Sequence, residues 1–170
     1  MSSSLMTPSF MTDLTVTARA GRAHVEHVRE HLDRCLALLA ERGESVLVEL
    51  SVALVGDKVM SELHGRFSGD PTPTDVLTFE LDHDEQERCT EGEVIVCVAQ
   101  ARRTAAERGT DLADELLLYA LHGTLHLCGY DDQSADDFRA MHAREDELLT
   151  EIGVGAVFES SVESSTGGVA

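Results

Sequence analysis

The chain has 170 residues, enough for one domain with a proper core, and 42% of them are hydrophobic, which excludes disorder of the whole. No apolar run approaches the roughly 18 residues of a membrane span. Thirteen basic against 32 acidic residues give a net charge of −19, which argues against tight, phosphate-driven nucleic-acid binding by the isolated chain.

Residues 1–12 are polar and patternless and read as a flexible leader. They carry no basic region followed by a long apolar one, so no signal peptide is expected and a cytoplasmic location follows. Residues 14–18 read as a short strand. Over 23–41, Val25, Val28, Leu32, Cys35, Leu36 and Leu39 recur at helical spacing. His24, His27 and His31 form a second stripe on that helix; with no turn or carboxylate to anchor a metal, they read as a half-exposed edge. Residues 46–55 form a strand, partly apolar on both faces. Gly56 breaks it, and Asp57 is placed to cap a helix over 58–66. A loop at 68–73 leads to strands at 75–81 and 93–98, with the acidic segment 82–91 joining them.

Residues 100–108 read as a helix ended by Gly109. Asp111 caps the next one, which is apolar almost all round from Leu116 to Leu127 and therefore buried. Ser134, with Asp137 at capping-box spacing, opens a last helix to about 150, stopped by Gly153 and Gly155. The organisation expected is a leader over 1–12, a domain over 13–153 and a disordered tail over 154–170. Four strands and about five helices, not strictly alternating, indicate an α+β fold with one mixed sheet.

The four cysteines show no close pairing and make neither a disulfide framework nor a zinc knuckle. Seven acids fall in 80–93 and eight in 131–151, so the rest of the surface can still present a local basic patch. Arg102, Arg103 and Arg108, with Arg66, are its candidates; a solvated helix face is the competing reading.

The most informative segment runs from His122 to Asp132. His122 and His126, four residues apart, share one helical face and can bind one ion. Gly129 sits where a left-handed residue ends a helix, and the turn can swing Asp131 or Asp132 back toward the pair. Three such ligands would leave the fourth position of a tetrahedral zinc open, as in catalytic sites. The place after His122, where zinc proteases carry a Glu base, is Gly123, so a protease mechanism is not expected. The glycine could instead admit a substrate or a neighbouring backbone.

The run His122-Gly-x-Leu-His126-Leu-x-Gly129-Tyr-Asp131 resembles the signature of the YbeY endoribonucleases. Pro73-Thr-Asp75-Val-Leu-Thr-Phe79 and Gly92-Glu-Val-Ile-Val-Cys97 agree with it in order and spacing. The resemblance covers about 14–152. It implies a single α+β domain, with the metal at the end of a central buried helix. It also implies a metal-dependent RNase acting on single strands in 16S ribosomal-RNA 3′-end maturation and ribosome quality control. Its partners would be ribosomal RNA and the small subunit or a basic ribosomal protein.

Two positions depart from the family. Asp132 stands where the family has its third metal-binding His, which makes the expected set His122, His126 and Asp132 around zinc, or around another divalent ion suited to a harder donor. Ser68 stands where the family has an arginine, and Arg66 is the candidate to take that catalytic place. Arg102 and Arg103 are the expected RNA contacts. Two other functions compete: a metallohydrolase for small esters or peptides, and a non-catalytic ribosome-assembly factor with a structural metal.

Overall fold

The computed structural model describes residues 11–158. Its sheet has four strands: β1 (Asp13–Ala18), β2 (Glu49–Val55), β3 (Val76–His83) and β4 (Cys89–Cys97), in the order β1-β2-β4-β3. β1, β2 and β4 run parallel, and β3 joins β4 antiparallel at the edge. Five α-helices accompany it: α1 (Val25–Glu41), α2 (Asp57–Ser68), α3 (Val98–Arg108), α4 (Leu112–Leu127) and α5 (Ala135–Glu151). One turn of 3-10 helix, Arg22–His24, precedes α1.

Period-two alternation sorts the central strands between two cores. Val52 and Leu54 of β2, with Val94 and Val96 of β4, face the main core under α1 and α4. Val55, Ile95 and Cys97 face the other way, against Met60 and Leu63 of α2. Strands apolar on both faces are therefore covered on both faces. α4 lies in the middle of the main core, with Leu116, Leu117, Leu121 and Leu125 without exposed surface.

The expected fold, α+β with a mixed four-stranded sheet and five helices, is the fold found, while several local expectations are corrected. Asp57 does not cap α2. Gly56 holds that position, and the Asp57 carboxylate instead takes Arg103 in a two-pronged ion pair at 2.7 and 2.9 Å. Residues 82–91 are not a free connector: β3 and β4 run through half of them, and a tight turn joins them. Asp84 closes that turn, accepting from the Gln86 and Arg88 amides at 3.0 and 2.9 Å. The carboxylates there thus sit on hydrogen-bonded backbone, which charge-counting alone does not suggest.

Thr12 of the expected leader is buried and donates to the Leu47 carbonyl at 2.8 Å. Val157 of the expected tail is buried in the main core, and the Phe158 amide donates to Asp146 at 3.1 Å. Residues 1–10 and 159–170 lie outside the described residues. No helix among the described residues is long and apolar enough to cross a membrane.

Candidate metal centre

Both ends of α4 are fixed by local chemistry. Asp111 accepts from the Ala113 and Asp114 amides at its start, satisfying donors that have no partner within the helix. At the far end Gly129 has φ 100, and the last carbonyls are taken by a paired set of backbone bonds. Tyr130 N–H reaches Leu125 O at 3.0 Å and Gly129 N–H reaches His126 O at 3.0 Å. This is the Schellman arrangement, and glycine is wanted there because its φ is positive. The turn reverses the chain. Asp131 then accepts from the Asp132 and Gln133 amides at 2.8 and 3.3 Å, which sets the Asp132 side chain toward the histidines.

Three ligand atoms converge. His122 Nε2 and His126 Nε2 are 3.1 Å apart. Asp132 Oδ2 lies 3.4 Å from the first and 3.6 Å from the second. Bonds of 2.0–2.1 Å to a tetrahedral zinc would put its ligands about 3.4 Å apart. The far nitrogens decide the tautomers. His126 Nδ1 faces the Tyr130 carbonyl at 3.0 Å, a group that can only accept, so this nitrogen carries the proton. His122 Nδ1 faces Glu145 Oε1 at 2.6 Å and donates likewise. In the neutral rings both Nε2 atoms are therefore lone pairs. Two lone pairs and a carboxylate oxygen pointed at one place repel one another unless a cation lies between them. The donor set fits a divalent ion, with imidazole hydrogen bonds of the kind that orient metal ligands.

Glu145 has no exposed surface and also accepts from His142 Nδ1 at 2.6 Å. Burial alone would raise its carboxyl; the bonds from His122 and His142 outweigh that and hold it below the usual range. Burial likewise works against a charged His122, but Glu145 and Asp132 leave it above its ordinary value. Glu145 was missed from sequence, yet a signal exists. It shares the buried stripe of α5 with Met141, Leu148 and Leu149, and a charged residue at a core position needs a partner.

His122 and Asp132 open on a cleft of about 230 Å³, walled by Asp75, Tyr119, Phe138, His142 and Phe158, with Arg108 at its side. Arg66, Arg102 and Arg103 are not brought to it. Arg66 is exposed in the last turn of α2, Arg102 is exposed on α3, and Arg103 is engaged by Asp57. The Ser68 hydroxyl is spent on the His64 carbonyl at 2.6 Å. Gly123 packs against the sheet. A Cβ there would stand 2.6 Å from Val94 Cγ1 and 3.1 Å from Thr78 Cγ2, so the glycine lets α4 lie close against β3 and β4. Of the helix α1 histidines, His27 contacts Asp114 at 3.0 Å and ties α1 to α4.

The family model described as Endoribonuclease YbeY matches residues 15–153. The chain belongs to the YbeY endoribonuclease family. Endoribonuclease YbeY of Thermobifida fusca is 41% identical over 110 residues, covering 61% of this chain and 71% of its own. That of Moorella thermoacetica is 37% identical over 139 residues, covering 76% and 89%. The solution structure of TM1509 from Thermotoga maritima superposes with a TM-score of 0.55 at 29% identity, covering 81% of this chain and 90% of that one. Membership makes the chain a hydrolytic nuclease, and the three-atom cluster is a candidate for the metal that YbeY activity requires.

Proposed function

We propose that this chain cleaves single-stranded RNA in the cytoplasm, with ribosomal RNA near the small-subunit 3′ end as its substrate and zinc as its ion. The observation that carries the proposal is the meeting of His122 Nε2, His126 Nε2 and Asp132 Oδ2 beside an open cleft that His122 and Asp132 line. These three atoms would hold the ion. When bound, it supplies Lewis acidity toward a phosphate oxygen and lowers the pKa of water.

The protein's own groups do the rest. Glu145 and the Tyr130 carbonyl hold the two imidazoles in the ligating tautomer. Arg108, on the cleft wall, is placed to meet a phosphate, whereas Asp75 and Asp132 repel one elsewhere. Asp132 makes the site harder and more anionic than three imidazoles would, which widens the choice of divalent ion. Because the chain carries −19, encounter with RNA depends on a partner that screens the acids. A basic protein of the small subunit, or the ribosomal particle itself, would do so.

The test is turnover of a short single-stranded RNA against its duplex, a peptide and a nitrophenyl ester. Cleavage of the single strand alone, faster on ribosomal particles, is expected. Turnover of the ester or peptide with no action on RNA would make the chain a different hydrolase. Co-sedimentation with ribosomes without any RNase activity would make it an assembly factor.

A further inference from the structure

We infer that the ring of Phe138, backed by His142 and Phe158, stacks a nucleobase of the RNA beside the metal centre. This rests on the endoribonuclease reading and names the contact that holds the strand.

Phe138 lies in the first turns of α5 and is 41% exposed, one of few large hydrophobic side chains open to water among the described residues. It walls the same cleft as His122 and Asp132. Its ring is held in place rather than free: it meets His142 edge-on at 4.3 Å and Phe158 at 5.9 Å. His142 lies flat on Phe158, with centroids 3.8 Å apart and planes 5° from parallel. His142 is fixed in turn by Glu145, and its ring runs nearly parallel to His122 at 5.6 Å. A continuous tier of rings thus leads from a metal ligand to an exposed aromatic edge of the cleft. A ring pre-set by its neighbours loses little freedom on binding.

Charge decides that such a contact is needed. Phosphate attraction usually dominates nucleic-acid affinity, but here the chain carries −19 and the cleft wall includes Asp75 and Asp132. Stacking is insensitive to that charge, accepts any base, and requires the bases to be unpaired. It therefore favours single strands without reading sequence.

The experiment is fluorescence anisotropy of a labelled short single-stranded RNA, together with matched strands carrying one abasic site at each position in turn. One abasic position should weaken binding to the wild type by roughly 5- to 150-fold. Phe138→Ala should weaken binding of the intact strand by a similar factor and no longer distinguish it from that abasic strand. Phe138→Trp should restore both affinity and discrimination. The loss should persist at high salt, because no ion pair is removed. Equal binding by Phe138→Ala, or a loss of the same size on every strand, would overturn the inference while RNA cleavage by the wild type left the nuclease reading standing. A wild type that neither binds nor cleaves RNA, free or on ribosomal particles, would overturn both.

Discussion

Glu145 Oε1 accepts the Nδ1 proton of His122 at 2.6 Å, from a side chain with no exposed surface at all. The second oxygen serves His142 at the same distance. Both bonds need a carboxylate. Glu145→Gln removes the charge and leaves one accepting oxygen, so one imidazole loses its acceptor or must take the other tautomer. Metal affinity should fall roughly 10- to 100-fold, the usual cost of losing such a support. Competition with a chelator of known affinity measures this, with an unchanged circular dichroism spectrum as the control for folding. Affinity equal to the wild type would mean that Glu145 only fills the core.

Gly123 makes a second prediction. The added methyl of Gly123→Ala would meet Val94 Cγ1 at 2.6 Å, and Val94 is a buried, branched side chain with nowhere to turn. Denaturant unfolding should show a loss of about 1–3 kcal/mol, the range for overpacking a core. Gly123→Glu, which would write a protease-like motif, should fail to fold rather than gain a base.

Much of this site was legible in the chain. Histidines four apart, a helix-ending glycine and a carboxylate beyond it are local features, and local geometry alone brings His122, His126 and Asp132 together. The caps at Asp111 and Ser134 were equally local. What stayed hidden depends on tertiary packing. Glu145 was lost among the eight acids of 131–151 because its role appears only when α5 lies against α4. The same holds for the arginines. The pairing of Arg103 with Asp57, 46 residues away in sequence, is not visible in the chain. Phe158 could not be placed by pattern, since a single aromatic after two glycines has no period to follow.

The arginines can be ranked. Arg108 lines the cleft, whereas Arg102 and Arg103 sit on α3 outside it. Arg108→Glu should lower kcat/KM on RNA more than Arg102→Glu, and neither should change metal content. Arg103→Ala breaks a pair whose partners are 45% and 42% exposed, so it should leave stability almost unchanged. A larger loss of activity from Arg102 than from Arg108 would move the RNA path to α3.

Stability should fall in alkali. Burial pushes the Cys35 thiol up to about 12, and the other three thiols are also raised. An unfolded thiol ionises near 8.5. Below that pH both states hold the proton and nothing changes. Above it only the unfolded chain releases the proton, so the folded state loses ground until the folded value is passed. Cys35 alone should cost about 1.4 kcal/mol between pH 7.5 and 9.5. Urea unfolding at the two pH values checks this. Cys35→Ala should reduce the difference by about that amount while the other thiols keep the rest, and a pH-independent wild-type midpoint would contradict the buried thiols.

The central claim is that three atoms at the end of α4 hold one ion. Elemental analysis of protein purified without added metal or metal-affinity resin tests it directly. The wild type should carry about one divalent ion per chain. Asp132→Ala should bind it more weakly, and His122→Ala combined with His126→Ala should carry none. Full occupancy in the double variant, or a wild type that stays empty when zinc is supplied, would contradict the account.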